Sequence, residues 1–314
     1  MQEPHDYYKR SSAMTAAGRH VSAVRALSRD IGALCRIVQG LLIHRDLAPF
    51  LYGVTLSAEQ RDAANVRSLS EMFARVLALD VEPLNSAREP ERRMPSVCRH
   101  FALMLCGMLR AQGVPARARC GFAAYFTSGK FEDHWVCEYW NSEQARWMLV
   151  DGQLDNVQRE NFRPDFDPID VPRDRFIVAG DAWADCRSGR ADPHSFGLSF
   201  IPGLHGYWFI AGNVVRDFAA LNGMEMLPWD VWGMMRDKDA DLDEPRRKNL
   251  DRVASLTLCA DARFSELREL YESDDGLRVP SVVFNVDRRA PEKIAQIGPI
   301  SEAPAGVDRE SNER

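Results

Sequence analysis

The chain has 314 residues, 45% of them hydrophobic and 27% charged, with a formal net charge of −6 at pH 7. A chain of this size can bury one large core or two modest ones. The acidic balance excludes a nucleic-acid surface, which needs clustered Lys and Arg, and there is no run of about 18 uncharged apolar residues to cross a membrane. The opening stretch MQEPHDYYKRSSAMTAAGRH lacks the apolar centre of a secretory signal, and seven cysteines without framework spacing suit reduced thiols. The expectation is a cytoplasmic protein whose partners are small molecules or peptides.

An apolar period through Val24, Leu27, Ile31, Leu34, Ile37 and Leu41 predicts a helix over 21–44, broken near Asp46 to Pro49. A capping box at Ser57 and Gln60 opens a second helix, which runs through Val66, Leu69, Phe73, Val76 and Leu77 to Asp80. Residues 1–90 therefore read as an N-terminal helical layer, closed by the polar loop DVEPLNSAREPERRMP. The next segment, SVCRHFALMLCGMLRAQGVPAR, is a third helix with Phe101, Leu105, Met108 and Leu109 on one face and Gly113 and Pro115 as its stop. With Ser96 as N-cap, Cys98 falls among the unpaired amides of the helix start, a setting that favours a thiolate. Cys106 lies about 12 Å further along the axis, among leucines and methionines, and reads as core.

After Pro115 the texture changes to aromatic and β-branched runs, ARARCGFAAYF, HWVCEYW and RWMLVD, joined by polar turns. They predict a three-stranded antiparallel meander. Residues 161–205, rich in Pro, Asp and Gly, read as a loop wrapping the core through Phe176, Trp183 and Phe196. Helical patterns return near 207–222 and 245–273, and VPSVVFNV reads as a late strand. From about Arg288 the composition is that of a disordered tail. The expected divisions are thus 1–90, a core at 91–180, a mixed extension at 181–287 and the tail at 288–314.

A hairpin turning about Ser142 and Glu143 makes His134 and Asp151 direct cross-strand neighbours, close enough for the carboxylate to accept the imidazole N–H. A longer turn brings in Asp155 as a weaker candidate. A carboxylate so placed fixes the tautomer and leaves the other ring nitrogen to act on a nucleophile, for which Cys98 is the candidate.

The order of a Cys in CRHFALMLCGMLRAQGVPARARCGF, a His in DHWVCEYW and an Asp in WMLVDGQLD resembles the catalytic core of the transglutaminase-like superfamily over roughly residues 90–156. The resemblance implies Cys98 as nucleophile, His134 as base and acid, and Asp151 as orienting group. It also implies an α+β, papain-like fold in which the helix carrying the nucleophile packs on an antiparallel sheet, without a cofactor. The reaction expected is cleavage or exchange of an amide or ester acyl group on a small-molecule or peptide substrate. The alternative is a binding or scaffold protein that keeps the fold without the reaction. Candidates for an oxyanion donor or substrate contact are the Cys98 backbone N–H, Gln39, Trp135 and Arg99.

Other readings are weaker. Zinc on Cys98, His100, His134 and Cys137 lacks a close ligand pair, and Cys137 points to the strand face opposite His134. The acidic run at 237–243 departs from a calcium loop at Leu242 and Lys248 and reads as a solvated turn. Arg117 and Arg119 suit surface salt bridges better than an anion-binding lining, and His194, His205 and Trp229 are cleft candidates whose plainer reading is structural.

Overall fold

The computed structural model describes residues 3–236 and 238–294, and no helix among them is long and apolar enough to cross a membrane. The N-terminal layer comprises α1 (Pro4–Tyr8), α2 (Val21–Arg25), α3 (Ile31–Leu41), α4 (Ala48–Leu51), α5 (Ala58–Asp62) and α6 (Leu69–Leu79). The single helix expected over 21–44 is broken twice. Asp30 N-caps α3 by accepting the Ala33 N–H at 2.7 Å, and the chain leaves the helix at Leu42 to form β1 (Leu42–His44). This strand pairs in parallel with β2 (Met94–Ser96), so that His44 stands opposite Ser96. The helix expected from Ser57 to Asp80 is also divided: the capping box forms at α5, but Val66 is extended and Ser68 caps α6. Apolar residues on both sides of each break face one core, so periodicity alone runs through the breaks.

At the centre lies α7 (Cys98–Ala111), buried along almost its whole length between the helical layer and the sheet. Ser96 is not its cap, because its hydroxyl turns back to the Met94 carbonyl at 3.0 Å. His100 serves the helix start instead: its Nδ1 accepts the Val97 N–H at 3.2 Å, and its Nε2 lies 3.0 Å from the Val66 carbonyl.

The predicted meander forms as β3 (Ala116–Ala123), β4 (Phe131–Asn141) and β5 (Arg146–Val150). The segment expected to be a loop adds β6 (Phe176–Val178) and β7 (Phe196–Gly197), giving the order β5-β4-β3-β6, with β7 parallel to the start of β4. One sheet face packs Cys137, Trp135, Cys120 and Ala118 toward α7; the other holds a smaller cluster around Tyr125, Val136, Leu149 and Val178. Five further helices follow among the described residues: α8 (Asn156–Phe162), α9 (Ala179–Arg187), α10 (Tyr207–Leu221), which lies against β3, and then, after the short β8 (Asp230–Val231), the pair α11 (Glu244–Leu258) and α12 (Phe264–Ser273). The run at 237–243 forms local caps, with Asp243 on α11 and Asp239 accepting the Trp208 N–H at 2.7 Å; Asp237 lies outside the described residues.

The expected late strand is β9 (Val282–Asn285), and it pairs with β8 and with β10 (Ala290–Lys293). The tail expected to be disordered from Arg288 therefore begins as an ordered strand, and residues 295–314 lie outside the described residues. Arg117 and Arg119 are corrected as well: both are buried, clamping Glu138 at 2.6 and 3.0 Å, with Arg119 also bound to Asp217 at 2.8 Å. Burial opposes ionisation of Glu138, but the surrounding guanidiniums outweigh it and hold the carboxyl far below its usual range. This network pins α10 to the sheet.

Candidate active site

The β4–β5 turn sets the register of His134 and Asp151. Asn141 pairs with Arg146 and Cys137 with Val150, so residues 142–145 form a four-residue loop, with Ala145 at φ +48°. This loop is two residues longer than the turn expected about Ser142 and Glu143. Carried past Val150, the register sets Asp151 across from Val136 and diagonal to His134. A two-residue shift preserves the face, since side chains alternate with period two. The diagonal still closes, with His134 Nε2 2.9 Å from Asp151 Oδ2.

Two further donors hold that carboxylate: the Tyr125 hydroxyl at 2.7 Å and the Gln153 N–H at 2.9 Å. Burial pushes the Asp151 carboxyl up, but the His134 charge and these hydrogen bonds outweigh it and keep it below its ordinary range. The carboxylate is therefore ionised, and His134 Nε2 is committed to it. Nδ1 is the nitrogen left for chemistry.

Cys98 is the first residue of α7, is 6% exposed, and lines the same cavity as His134. Burial raises its thiol well above the ordinary value and Asp133 adds to the rise, while hydrogen bonds from the backbone of Trp135 and Arg99 pull the other way. The thiolate expected from the helix start is thus not the resting state, because desolvation outweighs the terminal amides. A protonated thiol reacts when a base takes its proton as sulfur attacks.

The cavity measures about 1490 Å³. One wall carries a residue the sequence reading missed, the half-buried His44 at the end of β1. Its Nδ1 accepts the Asp46 N–H at 3.3 Å, which leaves the proton on Nε2. Burial, reinforced by the positive charges of His134 and Arg45, pushes this imidazole down to about 4 against the opposing pull of Asp46. His44 is therefore a neutral N–H donor, paired across the strands with Ser96, two residues before Cys98. The parallel match of LIH with MPS was the available signal, and helical periodicity masked it. Gln153 also lines the cavity, as do Glu132 and Asp133.

Four sequence candidates stand elsewhere. Gln39 donates to the Leu154 carbonyl at 3.3 Å, and Trp135 is buried among Cys98, Ala102 and Ala220 on the face opposite His134; neither is a cavity-lining residue. Arg99 is fully buried and ties the Glu225 and Arg67 carbonyls together at 2.9 and 2.7 Å. Asp155 caps α8 and accepts the Tyr52 hydroxyl at 2.8 Å. Among the described residues no three His, Cys, Asp or Glu groups are placed to hold a metal. His194 and His205 face each other, Nδ1 to Nδ1, at 3.1 Å, whereas Trp229 lines the cavity with its indole N–H on Asn65 at 2.8 Å.

The helix-borne cysteine packed on an antiparallel sheet defines an α+β fold of the papain-like, transglutaminase-like type. Residues 57–152 match the Transglutaminase-like superfamily, a span that includes Cys98, His134 and Asp151. A solved structure from Cytophaga hutchinsonii, provisionally described as a cysteine protease, aligns with 18% identity and a TM-score of 0.18 over 50% of each chain. The chain thus spans half the length of that protein. No curated protein matches the chain significantly.

Proposed function

We propose that this protein is a thiol enzyme that cleaves or exchanges an amide or ester acyl group through an acyl-thioenzyme, acting on a small molecule or a peptide. The observation that carries the reading is the 2.9 Å contact between His134 and Asp151, which frees Nδ1 in the cavity that Cys98 also lines. His134 Nδ1 takes the thiol proton as Sγ attacks the carbonyl carbon. The C=O π bond opens, placing charge on oxygen, and His44 Nε2–H and the Cys98 backbone N–H are the donors assigned to that oxyanion. His134 then returns the proton to the leaving nitrogen or oxygen, the C–N or C–O bond breaks, and a thioester remains. Water or an amine gives its proton to Nδ1 as it attacks the thioester, and collapse of that adduct releases the acid or new amide and restores the thiol.

Charged Asp151 steadies the imidazolium in both halves of the cycle. The seven cysteines, all unbridged, support a reducing compartment and hence the cytoplasm. The alternative, a non-catalytic binding protein, draws on the burial and raised pKa of Cys98.

Iodoacetamide labelling of Cys98, read by peptide mass spectrometry, separates the two. Because the thiol's pKa is raised, the labelling rate climbs with pH from 7 to 9.5 without levelling at the acid end. His134→Ala lowers the rate at pH 7 tenfold or more. A Cys98 rate indifferent to His134→Ala contradicts the enzymatic reading.

A further inference from the structure

The cavity wall contains two buried polar groups whose hydrogen-bonding capacity the chain leaves unmet. Arg216, on α10, is 8% exposed; it donates to Asn213 Oδ1 at 3.2 Å and to the Asp230 carbonyl at 3.1 Å, and its Nε has no partner. Among the described residues no carboxylate lies within ion-pair distance of it. Of the three other guanidiniums on this wall, Arg45 is paired with Asp287 at 2.9 Å and Arg61 with Asp46 at 2.5 Å, while Arg236, less buried than Arg216, donates to the Gly233 and Met235 carbonyls at 3.1 and 2.6 Å. Asp133 and Asp230 act on Arg216 at longer range, but Asp133 Oδ1 is bonded to Asn213 at 2.7 Å, with burial pushing that carboxyl up, and the Asp230 carboxylate is held by Arg67 at 2.6 Å. The second group is Gln153, 2% exposed, whose Nε2 is held by Gln158 at 3.0 Å while its Oε1 has no partner.

A buried charge without a counter-charge and a buried carbonyl without a donor are each costly, and a ligand that answers both recovers that cost. Much of the remaining wall is apolar, including Phe126, Phe162, Trp208, Phe209, Trp229 and Met235. A pocket of this kind takes an apolar body oriented by a few polar contacts.

We infer that the cavity selects a secondary amide with apolar substituents on both sides and a free carboxylate on one of them, as in an N-acyl amino acid. The carboxylate binds the Arg216 fork, and the amide N–H donates to Gln153 Oε1. This deepens the proposed function and rests on Cys98 and His134 as the reacting pair, but its test does not need turnover.

The test is calorimetric titration of the full chain carrying Cys98→Ala with N-hexanoyl-L-phenylalanine and with its carboxamide, N-hexanoyl-L-phenylalaninamide. The expected result is that the acid binds at least tenfold tighter than the carboxamide. Adding Arg216→Met brings the ratio close to one, and adding Gln153→Met weakens both ligands alike. A ratio near one in the Cys98→Ala protein, absence of binding at millimolar ligand, or a preference that survives Arg216→Met overturns the inference. Should Arg216→Met fail to fold by circular dichroism, phenylglyoxal modification of Arg216 in the wild-type chain decides: protection by the acid and not by the carboxamide supports the site, and equal modification with either ligand refutes it. His134-dependent alkylation of Cys98 can stand while the acid preference fails, or the reverse, so the two failures are distinguishable.

Discussion

At the scale of single residues, the site is assembled from side chains that hold one another in a fixed protonation state. Asp151 is anchored by Tyr125, Gln153 and His134, which leaves one imidazole nitrogen toward the cavity. His44 is fixed as an N–H donor by the Asp46 amide. Loss of one oxyanion donor costs about 10²–10³ in kcat. His44→Ala is therefore expected to lower kcat on p-nitrophenyl hexanoate by about that factor with little change in KM, whereas His44→Gln, which keeps an N–H, recovers part of it. Unchanged kcat in His44→Ala removes the residue from the mechanism. The His134–Asp151 contact was legible in the sequence because the two residues fall on adjacent strands, as was the place of Cys98 at a helix start. His44 and Tyr125 were not: His44 reaches the site through a parallel pairing that periodicity does not reveal, and Tyr125 through the bend that follows β3.

At the scale of elements, the sequence located the meander and the Cys98 helix, and the physical reasons are local ones: alternation, aromatic content, and a Gly–Pro stop. Breaks within a continuous apolar period were hidden, as at Asp30 and Ser68, where side-chain caps rather than hydrophobic pattern decide the boundary. The register was misjudged by two residues, yet the face survived, because only an odd slip turns His134 away from Asp151.

Close backbone approach was equally invisible. Gly121, which pairs with His134, sits where a Cβ would collide with the Ile177 carbonyl oxygen and stand 2.8 Å from Val178 Cα. Gly121→Ala must push β6 away from β3. It is expected to lower stability by about 1–3 kcal/mol in urea titration, together with slower His134-dependent labelling of Cys98. A variant with wild-type stability and reactivity contradicts this account of the β3–β6 contact.

At the scale of the molecule, stability and pH are linked through two histidines kept neutral. Burial lowers His100 to about 3 and His44 to about 4, so both are unprotonated in the folded chain near neutrality. Their unfolded counterparts titrate near 6.5. Above that pH both states are neutral and the groups contribute no pH dependence. Between about 6.5 and about 4 the unfolded chain binds more protons, so stability falls as pH drops, by up to about 1.4 kcal/mol per unit for each histidine. Asp151, with its lowered pKa, adds a further loss only at more acid pH. Urea midpoints measured from pH 7.5 to 4.5 are expected to show this decline, with a shallower slope in His44→Gln. A flat profile across that window refutes the assignment of both rings as neutral in the folded chain.

The central claim is that Cys98 forms an acyl-thioenzyme with the help of His134. The most direct measurement is intact and peptide mass spectrometry after rapid mixing with p-nitrophenyl hexanoate, on the wild-type chain, Cys98→Ala and His134→Ala. The account predicts a hexanoyl adduct of one per chain located on Cys98, absent in Cys98→Ala and formed at least a hundredfold more slowly in His134→Ala. An adduct located elsewhere, such as on the exposed Cys259, or one formed on Cys98 equally fast without His134, contradicts it.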